Sequence, residues 1–155
     1  MTEKINKRLA KLGIVLPEIS TPAANYKSYV ISDNFVFISG QISIWNGELR
    51  FIGKVGDEIS LKEGIKAARL CGLNLLAQAK SAAKGDLDNI KQVVKLNGFV
   101  NSHANFKDHS KIINGASDLM VDVFGKFGFH ARAAVGVSSL PFNVAVEVDG
   151  IFRLA

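Results

Sequence analysis

The chain has 155 residues, 48% of them hydrophobic, with a mean hydropathy of +0.18. That is ample material for one core, with a surplus that on a small domain is expected to end in a subunit interface. The net charge of +5 comes from scattered lysines and arginines rather than a basic run, so an anionic small molecule fits the balance as well as a nucleic acid, which is not the expected partner.

In chain order, Ile5, Leu9 and Leu12 recur at helical spacing over residues 2–12, with Thr2 placed to cap this helix and Gly13 to stop it. No long apolar run marks the N-terminus as a signal peptide or membrane span, so the default compartment is the cytoplasm. Pro17 and Pro22 force an extended or turned connector. Tyr29 to Ile31 and Phe35 to Ile44 read as strands joined at Ser32-Asp33-Asn34. Asn46-Gly47 is a hairpin turn, since both residues tolerate positive φ, and Leu49 to Ile52 should be the returning strand.

Ser60-Leu61-Lys62-Glu63 is a capping box opening a helix to about Lys84, closed by Gly85. Leu61, Ile65, Ala68, Gly72, Leu75 and Ala79 form its buried stripe. Cys71 lies in this apolar run, where it reads as a small buried hydrophobe; as the single cysteine it excludes an internal disulfide and a cysteine zinc cluster. Asp86 and Asp88 read as a solvated turn. A strand centred on residues 93–100 follows, then a helix over about 109–126 with Ile112, Ala116, Met120, Val123 and Phe127 on its apolar face. Two strands, 132–137 and 144–152, close the chain. The fold class is therefore α+β, with two long helices stacked on one face of a mixed sheet. No repeat or second domain is visible, so residues 1–155 form a single domain with residues 1–16 as an N-terminal helical extension.

The closing strands carry the most information. Ala133, Val135 and Val137 alternate with Arg132, Ala134 and Gly136; Val144, Val146 and Val148 alternate with Ala145, Glu147, Asp149 and Ile151. The valine faces suit packing under the helices. That places Arg132, Glu147 and Asp149 on a helix-free face, either washed by solvent or turned toward other subunits with its charges lining a cleft. Parity leaves both open.

Ile38-Ser39-Gly40-Gln41-Ile42, followed by Arg132-Ala133-Ala134-Val135-Gly136-Val137-Ser138-Ser139-Leu140-Pro141 and Val146-Glu147-Val148, resembles the signature of the Rid (YjgF-like) family. The likeness covers residues 20–155 in order. Gly53-Lys54-Val55-Gly56, residues 112–119 and the N-terminal helix resemble its longer variant. The resemblance implies a chorismate-mutase-like fold and a homotrimer whose sheets face inward as a barrel, with clefts between subunits. It assigns Arg132 to the ligand carboxylate, a role for which a planar guanidinium fork is suited; a structural ion pair with Glu147 or Asp149 is the other role open to it. Glu147 matches the glutamate that positions or activates water, so Arg132 and Glu147 are the expected catalytic pair. Ser39, Gly40, Tyr26, Asn114 and Ala134 match positions around the ligand. Asn25 and Ala24 precede Tyr26 where the family has Gly-Pro, and Ala134 stands where the family has a cysteine, so chemistry of a pocket thiol is lost.

The expected function is hydrolysis of small imino or enamino acids to ammonia and a 2-keto acid, which requires no metal or organic cofactor because an imine is already electrophilic. A noncatalytic trimer binding a small carboxylate is the alternative, and endoribonuclease activity the third. His103, His109 and His130 lack metal-ligand spacing. Gly53-Lys54-Val55-Gly56 is not a phosphate-binding Walker loop, lacking its length and trailing Ser or Thr.

Overall fold

A computed structural model describes residues 3–19, 21–22 and 24–155. Its helices are α1 (Glu3–Lys11), α2 (Leu61–Ala82) and α3 (His109–Phe124). Its strands are β1 (Tyr29–Ser32), β2 (Phe35–Ile42), β3 (Ile44–Trp45), β4 (Glu48–Leu49), β5 (Ile90–Asn101), β6 (Ala131–Val137) and β7 (Val146–Leu154). Five strands form one sheet in the order β1-β2-β7-β5-β6, and only the β5–β6 pair is parallel. This is the expected mixed sheet, with α2 and α3 packed together on one of its faces.

Local signals account for most of these elements. The Ser60 capping box closes both ways: the Ser60 hydroxyl accepts from the Glu63 amide at 3.2 Å, and the Glu63 carboxylate accepts from the Ser60 amide at 2.8 Å. Asn46 and Gly47 take φ of 48° and 84°, the hairpin geometry that asparagine tolerates and that glycine, lacking a Cβ, adopts freely. Gly13 stops α1 at φ 67°. The proposed cap Thr2 lies outside the described residues. Asp88 is no solvated turn: its carboxylate accepts the backbone N–H groups of Lys4 at 3.3 Å and Ile5 at 3.0 Å, holding the start of α1 from 83 residues away.

The core lies between the helices and the sheet. Leu75, Leu76, Ile112, Ile113 and Met120 meet Val36, Leu96, Val148 and Phe152 there, all fully buried. Each such side chain contributes about 1.5–3 kcal/mol on leaving water. Opposite, the sheet is covered by no element among the described residues, and Val30 (52% exposed), Phe37 (45%) and Val135 (46%) point outward from it. Among the described residues no helix is long and apolar enough to cross a membrane.

Besides the Asp88 turn, and Leu61, which is exposed rather than part of the buried stripe of α2, three expectations fail. The strand returning from the hairpin ends at Leu49 rather than Ile52, because Phe51 adopts φ 55° and turns the chain away. Phe127 is not on the apolar face of α3, since the helix stops at Gly125 and Phe127 sits half-exposed in the following 3-10 turn. The third failure touches the site. In β6 the parity is inverted: Arg132 pairs with buried Leu96, and Ala134 pairs with Gly98, whose missing side chain makes room for Ile113 of α3. Arg132, Ala134 and Gly136 therefore face the helices, and Val135 faces the open side. β6 is an edge strand, and α3 turns polar residues toward it, so the rule that valines seek the helix side does not govern there.

Candidate functional site

Arg132 reaches along β6 to the polar flank of α3. Its Nη1 donates to Asn114 Oδ1 at 2.7 Å and to Ser117 Oγ at 3.2 Å. Asn114 and Ser117 stand three residues apart on α3 and so share a helical face. Behind them lies His130, two residues before Arg132 and on the same face of the chain. Its Nδ1 is 2.6 Å from the Gly128 carbonyl, which can only accept, so Nδ1 carries the hydrogen of the neutral ring. Nε2 then accepts from the Ser117 hydroxyl at 2.9 Å. Burial, against the opposing pull of the Gly128 carbonyl and aided by the Arg132 charge, holds the His130 imidazole below its ordinary pKa and so keeps it neutral. The relay runs from Arg132 through Ser117 and His130 to a backbone carbonyl, every donor matched to one acceptor.

This scaffold consumes one nitrogen of the guanidinium. Among the described residues Nη2 and Nε have no partner, and Arg132 makes no ion pair. The structural pair with Glu147 or Asp149 does not form. Half a fork is left for an anion.

A second group gathers on the open face. β2 breaks register with β7 between Ile38 and Gln41, and the bulge carries Ser39 and Gly40 past Glu147. A Cβ on Gly40 would lie 2.9 Å from the Glu147 carboxyl carbon, so a larger residue there would push the Glu147 side chain from its present position. The Ser39 hydroxyl donates to the Lys27 carbonyl at 2.7 Å, which ties the bulge to the segment bearing Tyr26. Tyr26 itself is 57% exposed. Burial first, and then the neighbouring Asp149, raise the Glu147 carboxyl above its ordinary range; Asp149 is itself raised by burial, with Asn97 opposing through a 2.8 Å hydrogen bond. A carboxyl raised in this way is a better proton acceptor once ionised than an ordinary surface carboxylate.

Arg132, Asn114 and Ala134 thus form one group, and Glu147, Gly40 and Ser39 another, whereas Tyr26 joins neither and lines a separate cavity with Tyr29 and Ser81. The two groups lie on opposite faces of the sheet, which corrects the shared face expected for Arg132 and Glu147. Ser117 and His130 were missed by sequence reasoning, although the spacing of each from Asn114 and Arg132 carried the signal. Cys71 is fully buried, its sulfur 3.4 Å from the Val146 carbonyl, and burial pushes its thiol pKa well up, as an inert packing residue requires.

Comparison with known proteins adds to this geometry. A model of the family described as "YjgF/chorismate mutase-like, putative endoribonuclease" matches residues 6–152. The chain belongs to the Rid/YjgF family. Protein TCP17 of Trypanosoma cruzi is 47% identical to this Rid-family chain over 152 residues, covering 97% of it and 94% of TCP17. A 2-iminobutanoate/2-iminopropanoate deaminase of Dermatophagoides farinae is 30% identical over 140 residues, covering 89% and 92% of the two chains. Among solved structures, a protein of unknown function from Agrobacterium tumefaciens superimposes with a TM-score of 0.91 at 45% identity, covering 99% of this chain and 95% of that one.

Proposed function

We propose that this Rid-family protein hydrolyses small 2-imino acids, and that it does so as a homotrimer with sites between subunits. The observation that carries the reading is the half-used guanidinium of Arg132, fixed by Asn114, Ser117 and His130 yet left with two donor nitrogens without a partner among the described residues. Such a fork takes a carboxylate in a charge-assisted contact worth roughly 1.5–3 kcal/mol. The Glu147 group belongs to the other side of the sheet, so the two halves join only if one protomer's edge meets a neighbour's open face. The apolar side chains left on that face give the neighbour a reason to be there.

In the proposed reaction the substrate carboxylate rests on Arg132 and the imine carbon faces Glu147 of the adjacent copy. Glu147 takes a proton from water as its oxygen adds to the C=N carbon, and passes that proton to the nitrogen. In the resulting carbinolamine Glu147 takes the hydroxyl proton as the C=O bond forms and gives it to the nitrogen, the C–N bond breaks, and ammonia leaves. The named activity of the mite relative supports this substrate class. The test is ammonia release from 2-iminopropanoate generated in the assay, with Arg132→Ala alongside. The expected drop in kcat/KM is on the order of 10- to 100-fold, the worth of one charge-assisted contact. Equal rates for the two proteins reject the site.

One observation favours a second reading, a noncatalytic carboxylate-binding trimer: Ala134 stands where the resemblance places a cysteine. It predicts ligand-induced stabilisation of about 2.7 kcal/mol at a concentration one hundred times Kd, with no turnover. RNA cleavage that disappears in Arg132→Ala would instead favour the endoribonuclease reading.

A further inference from the structure

A cavity lies under α1, sharing no residue with the Arg132 and Glu147 groups. Its volume is about 680 Å³, within the range of roughly 300–1,000 Å³ usual for small-molecule sites. Lys4 and Arg8 of α1, Lys91 of β5 and Arg153 of β7 all line it. None of the four is in an ion pair among the described residues. Asp88, the acid of this lining, spends its carboxylate on the first amides of α1. Lys91 touches only the Asp88 backbone carbonyl, at 3.3 Å, and Arg8 only that of Val123, also at 3.3 Å. The ammonium of Lys4 and the guanidinium of Arg153 have no hydrogen-bond partner among the described residues.

The floor beneath these cations is apolar. Ile90 and Phe124 are buried in it, each 6% exposed, and Ile5 packs beside them. Phe127 stands in the wall with 48% of its surface exposed, and the Lys126 ammonium sits 5.0 Å from its ring centre. A bare phosphate would answer the charges and leave Phe127 wet. A neutral apolar molecule would cover Phe127 and leave four like charges crowded around it. One ligand chemistry answers both.

We propose that this cavity binds a small anionic amphiphile, a carboxylate, sulfonate or phosphate head on an apolar body. The head lies among Lys4, Arg8, Lys91 and Arg153, and the body lies over Phe127, Phe124 and Ile90. Helix α1 is what completes the site, since it contributes two of the cations and Ile5 and is itself fastened by Asp88. The volume suits a small molecule rather than a polymer. Because the cations are exposed, binding weakens as salt rises.

The probe is 8-anilinonaphthalene-1-sulfonate, followed by fluorescence on the full chain and displaced by decanoate. We expect saturable binding that decanoate reverses and decanol does not. Lys91→Ala/Arg153→Ala, which removes cations holding no structural contact beyond one backbone carbonyl, should weaken it by at least about tenfold, as should Phe127→Ala. Lys91→Arg/Arg153→Lys retains the charges and should retain binding, which separates loss of the site from loss of the fold. Arg132→Ala should leave binding unchanged. Binding untouched by both alanine variants overturns the proposal, as does loss of binding in Arg132→Ala. Displacement by pyrophosphate or by single-stranded RNA as effective as that by decanoate also overturns it, since charge alone would then suffice.

Discussion

Glu147 and Asp149 sit two residues apart on one face of β7, half-buried, and Asp149 adds to burial in raising the cost of ionising Glu147. A carboxyl raised in the fold holds its proton where the unfolded chain has already lost it. Its contribution to stability is complete below the unfolded value, 4.5 for Glu147, and is lost as pH rises through the folded value. At neutral pH Glu147 therefore weakens the protomer, as expected of a group kept for chemistry rather than for packing. Glu147→Gln removes the charge and keeps the shape. It should raise Tm by roughly 1–3 °C at pH 7, with little difference near pH 4, while abolishing most imine turnover. Melting curves at the two pH values check the first part. A lower Tm at pH 7 would show that the carboxylate is a structural partner instead. His130 titrates with the opposite consequence: its depressed pKa means that stability is whole above about 6.5 and falls as pH drops through the folded value.

At the scale of elements, the contact between α2 and α3 is set by small residues. Gly115 presses on the Ile65 carbonyl of α2 so closely that no Cβ fits, and backbone cannot yield as a flexible side chain can. Gly115→Ala should cost about 1–3 kcal/mol, the usual penalty of overpacking, or more if the helices separate; denaturant unfolding measures it. Asp88→Ala should cost about 1 kcal/mol as a lost cap and loosen α1, seen as faster amide exchange over residues 4–9. These elements also mark what could be read from sequence. The Ser60 box, the Asn46-Gly47 turn and the valines of β7 announce themselves because each answers to neighbours a few residues away. The face of Arg132 did not, because β6 is an edge strand with both sides partly open, and only the position of Asn114 and Ser117 on α3 decides which side is polar. The cap of α1 by Asp88 joins residues too far apart for any local pattern to reveal. For the candidate site, motif order brought Arg132 and Glu147 to notice, while Ser117 and His130 had only their spacing from Asn114 and Arg132 as a signal, which means contact only once α3 lies beside β6.

The whole protomer is lopsided: α2 and α3 fill one face of the sheet, and the other bears Val30, Phe35, Phe37 and Val135, each at least 36% exposed. Val30, Phe35 and Phe37 cluster on β1 and β2 while Val135 lies on the far edge strand, and clustered exposed apolar side chains of this kind mark contact surfaces. In the proposed trimer three such faces meet, and the same contact brings Glu147 of one copy to Arg132 of the next. Assembly and catalysis are then a single event, which allows a sharp test. Phe37 pairs across the sheet with Val30 and Ile151, yet 45% of it is exposed in the protomer. Phe37→Glu should therefore leave the fold intact, with an unchanged far-UV spectrum, while placing a charge in the centre of the subunit contact, where an unpaired ion costs several kcal/mol. Light scattering should report a threefold smaller mass, and turnover should be lost although Arg132 and Glu147 are untouched. Mixing Phe37→Glu with the wild type should not restore it. An unchanged mass in Phe37→Glu, or a monomer that still turns over 2-iminopropanoate, would break the link between the open face and the site.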